Sequence, residues 1–134
     1  MIGIIDYGMG NQGSIQNMLG RIGAESVITS DPRTIESADR LILPGVGAFD
    51  VAVTNLQRLS LWPVLNAAVS ERHVPILGIC LGMQLFSARS EEGTLPGLGW
   101  IDAETIRFRF DGENSRLKIP HMGWNTIDVK HSGS

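Results

Sequence analysis

The sequence predicts an α/β domain: an open, mostly parallel sheet with helices on both faces. Three observations carry this. Short apolar strands alternate with helical patterns over residues 2–90, the order that successive βα units produce. The strands are nearly continuous in apolar residues, as burial on both faces requires. The run Val74-Pro75-Ile76-Leu77 passes through Gly78-Ile79-Cys80-Leu81-Gly82 into a helical pattern, a strand–turn–helix junction.

Residues 2–6 form the first strand, ending at Asp6, and the glycine-rich stretch 7–13 is a loop. Ile15, Met18, Leu19 and Ile22 fall at i, i+3, i+4 and i+7 of a helix that Gly23 stops. Residues 26–29 are the second strand, Asp31-Pro32 marks a turn, and 34–38 is at most a short helix. Residues 40–43 are the third strand, broken by Pro44-Gly45-Val46-Gly47. Phe49, Val53, Leu56 and Leu59 suggest one helix. Val64, Leu65, Ala68 and Val69 suggest another, after Trp62-Pro63. Residues 74–79 are the fourth strand. The style then changes. Residues 91–99 read as a loop, and Ile106-Arg107-Phe108-Arg109-Phe110 alternates with period two, predicting a half-exposed strand. Residues 111–115 read as a hairpin loop, and 117–119 and 126–129 as further strands. No repeat or linker divides the chain, so residues 1–134 are expected to form a single domain.

With 134 residues, 43% hydrophobic and 19% charged, the chain can bury a core of its own. The formal net charge of -3 and the lack of any Lys/Arg run argue against nucleic acid and anionic membranes as partners. There is no signal-peptide pattern and no apolar stretch of spanning length. The single cysteine cannot form an internal disulfide, which points to a reducing, cytoplasmic setting.

That cysteine is the leading candidate for chemistry. Gly-x-Cys-x-Gly between strand and helix is the layout of a nucleophile elbow, in which the middle residue takes a strained backbone conformation. The side chain then stands at the carboxyl end of a strand, where α/β sheets bind ligands. The N-terminus of the following helix is expected to favour the thiolate. The bland alternative is a buried core cysteine, which the paired glycines disfavour. The Pro44–Gly47 loop ends the third strand. If the third and fourth strands are neighbours, loop and thiol share one crevice. Its glycines can turn peptide N–H groups toward a developing oxyanion, with the N–H of Leu81 as a second donor. A base is harder to find. His73 precedes the fourth strand, at the end away from the crevice, His121 lies in an apolar segment, and His131 in the polar tail. For each, an ordinary surface or structural role outweighs catalysis. No cluster has metal-ligand spacing, so no metal is expected.

Four segments then appear in order: Asp6-Tyr7-Gly8-Met9-Gly10-Asn11, Leu43-Pro44-Gly45-Val46-Gly47-Ala48-Phe49, Gly78-Ile79-Cys80-Leu81-Gly82-Met83-Gln84 and Pro120-His121-Met122-Gly123-Trp124-Asn125. Together they resemble the class I (triad) glutamine amidotransferases, a flavodoxin-like fold. Among these the resemblance is to the glutaminase subunits of imidazole glycerol phosphate synthases, over nearly the whole chain. It implies hydrolysis of glutamine to glutamate and ammonia, without a cofactor. Cys80 matches the nucleophile, Val46, Gly47 and Leu81 the oxyanion donors, and Gly45 and Gln84 the substrate-holding positions. Asn11, His121, Met122 and Trp124 match the side that docks on a (β/α)₈-barrel synthase subunit. That subunit receives the ammonia through an internal channel for imidazole ring formation in histidine biosynthesis.

The resemblance also implies a catalytic His and Glu in a His-Pro-Glu segment near the carboxyl terminus. No His-Pro-Glu occurs in these residues. The expectation is a domain incomplete at its C-terminus, a piece of a longer subunit, inactive by itself. The competing readings are a natural short docking module without activity, a paralogue supplying ammonia to surface-sugar biosynthesis, and a cysteine hydrolase sharing only the elbow.

Overall fold

The computed structural model describes residues 1–110, 118–120, 122–126 and 128. Its centre is a four-stranded, all-parallel sheet: β1 (Ile2–Ile5), β2 (Ser26–Thr29), β3 (Arg40–Gly45) and β4 (Ile76–Cys80), in the order β2-β1-β3-β4. This is the start of the doubly wound 2-1-3-4-5 order, whose ligand crevice opens where the order reverses, between β1 and β3.

Alternation along each strand divides the core in two. Ile5, Leu41 and Leu43 face one side and join the larger cluster with Phe49, Val53, Leu56, Leu61, Leu65, Leu81 and Leu85. Ile4 and Ile42 face the other and meet Leu19, with Ile15 and Ile28 beside them. Fully burying each such side chain is worth about 1.5–3 kcal/mol. Helix α1 (Gln12–Arg21) covers the second face. On the first lie α2 (Pro32–Ser37), α3 (Phe49–Arg58), α4 (Leu61–Asn66) and a π-helical turn over Ala67–Glu71. The second face is covered only in part. Leu77 on β4 is 57% exposed beside an apolar hollow of about 300 Å³ that Ile2, Ile42 and Pro75 also line.

Several local expectations need correction. Asp31-Pro32 is not a free turn but a helix start. Asp31 caps α2 by accepting from the Thr34 N–H at 3.1 Å, and Pro32 fills the first turn, where its missing N–H costs nothing. The third strand is not broken at Pro44 but runs to Gly45. Pairing with β1 stops at Ile42, so Pro44 sits where β3 has one neighbour only. Helix α4 begins before Pro63, at Leu61, and the pattern over Ala67–Glu71 is π-helical.

The predicted strand over 106–110 is absent. Among the described residues after β4, the chain pairs at β5 (Arg89–Ser90) with β6 (Glu104–Thr105), in parallel. Beyond Thr105 the Arg107 N–H donates to the Glu91 carboxylate at 2.8 Å, and Arg109 pairs with the same carboxylate at 2.7 Å. Phe108 and Phe110 stack on each other at 5.5 Å. The period-two pattern is real, but no strand among the described residues pairs with it. The described residues of 117–119 and 126–129 form no strand either. The expected hairpin loop at 111–115 lies outside the described residues. The stretch from Gly97 to Thr105 wraps the elbow instead. The Leu98 N–H donates to the Leu85 carbonyl at 2.7 Å and the Trp100 indole N–H to Asn66 at 2.7 Å. Trp100 also packs on Phe86, ring centroids 5.1 Å apart.

Candidate active site

Three loops converge at the carboxyl ends of the strands: the one after β1 that begins at Asp6, the one after β3 that begins at Val46, and the elbow after β4. The condition set by the sequence is met, because β3 and β4 are adjacent and Gly45 is the register partner of Cys80.

Cys80 is exposed and takes φ 54°, ψ -116°, a backbone conformation that a residue with a Cβ adopts only under strain. The flanking glycines are there for close approach. A Cβ on Gly78 would lie 2.5 Å from the Met83 Cα, and one on Gly82 only 1.8 Å from the Leu43 carbonyl oxygen. The elbow is thereby pressed onto β3. The helix that follows, α5 (Leu81–Gln84), is a single turn. The dipole expected to favour the thiolate thus has only that turn of aligned peptides behind it.

Val46 is 59% exposed and Gly47 is exposed, so this part of the loop lies at the surface beside the elbow. Gln84 is the last residue of the helical turn that follows Cys80. It opens onto a cavity of about 860 Å³ that Glu92, Thr105, Arg107 and Phe108 also line. Glu92 was not singled out from the sequence. It lies in an irregular loop whose course is set by Asp50, from the first turn of α3. The Asp50 carboxylate accepts the N–H groups of Thr94 (2.9 Å) and Leu95 (3.0 Å) and the Thr94 hydroxyl (3.0 Å). These bonds, the Leu95 and Thr94 N–H groups first, hold its carboxyl below the usual carboxylate range. An acidic residue 44 and 45 positions upstream of its partners carries no local sequence signal for this.

His73 is exposed in the turn before β4, at the opposite end of the strand from Cys80. His121 and His131 lie outside the described residues. Asn11 accepts from the Ser14 N–H at 3.1 Å and so caps α1, a local role that sequence reading did not assign. Met122 (84% exposed) and Trp124 (103%) are at the surface of the described residues. Among the described residues no group of three or more His, Cys, Asp or Glu side chains is placed to hold a metal. Among those residues, too, no helix is long and apolar enough to cross a membrane.

A strained cysteine elbow beside a glycine loop at the end of a doubly wound sheet is shared by many thiol enzymes, and comparison with known proteins narrows the class. The family model for class-I glutamine amidotransferases matches residues 3–133, and the chain belongs to that family. It is 54% identical to the imidazole glycerol phosphate synthase subunit HisH 2 of Methanococcus maripaludis, over 95% of this chain and 61% of that protein. It is 47% identical to the protein of the same name from Pseudomonas aeruginosa, again over 95% and 61%. With subunit HisH of Leptospira interrogans it shares 40% identity over 95% of this chain and 62% of the relative. The chain thus spans about three fifths of the length of these relatives. A crystal structure of a glutamine amidotransferase superposes with a TM-score of 0.66 at 21% identity, covering 79% of this chain and 56% of the other, which supports the fold.

Proposed function

We propose that this chain carries the nucleophile half of a glutaminase site whose ammonia serves imidazole glycerol phosphate formation. The observation that carries the reading is the rung shared by Gly45 and Cys80. The Cys80 thiolate attacks the side-chain amide carbon of glutamine. The carbonyl oxygen takes the negative charge against the N–H groups of Val46, Gly47 and Leu81. The C–N bond then breaks, a proton is delivered to the departing nitrogen and ammonia leaves, with a γ-glutamyl thioester remaining on Cys80. Water cleaves the thioester to glutamate and returns the thiol. Gly45 and Gln84 hold the substrate, and Glu92, a carboxylate on the cavity that Gln84 lines, suits its α-ammonium group.

The base that removes the thiol proton is assigned to a segment of the longer relatives that these residues do not include. His73, at the far end of β4, supports that assignment. Met122 and Trp124, exposed and apolar, with Asn11 and His121, are assigned to docking on a barrel-shaped synthase subunit, in the cytoplasm. The names of the relatives favour the imidazole pathway over surface-sugar biosynthesis as the acceptor.

The test is glutamine turnover by three samples: the 134-residue chain, the chain with a barrel partner, and a version extended through a His-Pro-Glu segment. Expected is negligible turnover by the first and activity in the extended version that rises with the partner. Robust hydrolysis by the 134 residues alone would overturn the assignment of the base. Inactivity of the extended version with partner would favour a docking module.

A further inference from the structure

Tyr7 lies outside every role assigned so far. It follows Ile5 by two residues, so it continues the inward face of β1 past the strand's end, and it is fully buried. Its hydroxyl donates to the Pro44 carbonyl at 2.6 Å. A Cβ on Gly45 would lie 2.5 Å from that hydroxyl, 2.9 Å from the Gly82 nitrogen and 3.0 Å from the Leu81 Cβ. The phenol is therefore wedged where the loop after β3 meets the elbow after β4. Burial first, and then the neighbouring Cys80, push its ionisation well above the ordinary tyrosine range. The hydroxyl keeps its proton throughout the working pH range and remains a donor.

The bonded carbonyl belongs to the Pro44–Gly45 peptide. That unit is planar, so fixing its oxygen also fixes the direction of the Gly45 N–H beside Cys80. The next two peptides, which carry the Val46 and Gly47 N–H groups, start from this fixed plane and lead into the exposed part of the loop.

We infer that Tyr7 is a positioning residue: its hydroxyl anchors the Pro44–Gly45 peptide against the elbow and so sets where the following loop presents its N–H donors to an oxyanion on the Cys80 adduct. This rests on the glutamine-hydrolysis reading above.

The 134-residue chain is treated with the chloroketone analogue of L-glutamine, whose carbonyl oxygen gains negative charge against the loop's N–H donors as the thiolate reacts, and separately with iodoacetamide, which alkylates the thiol without using the glutamine pocket. Tyr7→Phe removes only the donor. Expected is a maximal labelling rate at Cys80 about tenfold lower with the chloroketone, at unchanged half-saturation, since a donor is misplaced rather than lost. The iodoacetamide rate and its pH profile stay within about twofold of the wild type, the shift expected if thiol access and ionisation are unaltered. Replacing Tyr7 by p-aminophenylalanine keeps a donor on the same ring and restores the chloroketone rate. Equal losses with both reagents, or no loss with either, would overturn the inference. Failure of Tyr7→Phe to fold, with p-aminophenylalanine folding but labelling slowly, would also overturn it. The wild type is expected to react faster with the L-chloroketone than with its D-enantiomer. Lack of that preference would remove the glutamine reading and this inference with it, whereas preference kept alongside an unaffected Tyr7→Phe would remove the inference alone.

Discussion

The Leu43 carbonyl and Gly82 are in contact so close that no side chain fits between them: a Cβ on Gly82 would lie 1.8 Å from the Leu43 oxygen. That contact seats the elbow on β3 and brings Cys80 level with Gly45.

Gly82→Ala is therefore expected to destabilise the fold by about 1–3 kcal/mol or more, as overpacking against backbone does. Gly20→Ala is the control. Gly20 sits in α1 with nothing within 4 Å of its Cβ position, and the change is expected to stabilise by about 0.5–1 kcal/mol. Urea denaturation of both variants checks the pair. Similar values for the two would refute the close-contact account.

The strain at Cys80 has a measurable cost. At φ 54°, ψ -116° glycine is comfortable and alanine is not. Cys80→Gly is expected to be about 1 kcal/mol more stable than Cys80→Ala, the scale of one strained residue. Neither variant is expected to be labelled at position 80 by the chloroketone. Equal stability would mean that the elbow relaxes.

Asp50 acts on the wall of the cavity and not on the chemistry. Asp50→Asn is expected to lower hydrogen-exchange protection at the Thr94 and Leu95 amides, leaving protection in β1 and β3 unchanged. The pH dependence has a definite sign. The folded carboxyl is held below its unfolded value, so its contribution is complete above about pH 4, the range of an unperturbed aspartate. It is lost as the pH falls through the lowered folded value. The protection factors of these two amides, taken relative to the intrinsic exchange rate at each pH, should fall in acid in the wild type and show no such step in Asp50→Asn.

Leu77 stands 57% exposed on β4, whose far edge has no partner among the described residues. An open strand edge beside apolar surface promotes self-association. The 134-residue chain is expected to bind a hydrophobic dye such as ANS and to sediment with concentration-dependent mass. Leu77→Lys is expected to reduce both while changing stability by only about 0.5 kcal/mol, as surface substitutions do. Unchanged dye binding would show that the hollow beside Leu77 is not the adhesive surface.

Most of the sheet was legible in the sequence because its signals are local. Ile2–Ile5 and Ser26–Thr29 read as apolar runs, and Ile15, Met18, Leu19 and Ile22 announce α1 at helical spacing. Gly78 and Gly82 around Cys80 mark the elbow, since no other residue type tolerates that backbone approach. Local signals also misled. Asp31-Pro32 reads equally as a turn or as a cap with proline in the first turn, and only the helix behind it decides. Residues 106–110 have the right alternation for a strand, but a strand also needs a neighbour to bond, and Glu91 takes the Arg107 N–H instead.

By itself, then, the sequence determined the βα alternation, the candidate nucleophile and the two glycine-rich turns around it, all of which follow from residue types within a few positions of one another. The tertiary structure decided that Gly45 lies beside Cys80, that Asp50 shapes the wall carrying Glu92, and that the Tyr7 hydroxyl reaches under Pro44. Each of those joins residues 35 or more positions apart, and such contacts are fixed by strand order and packing, which no local pattern encodes.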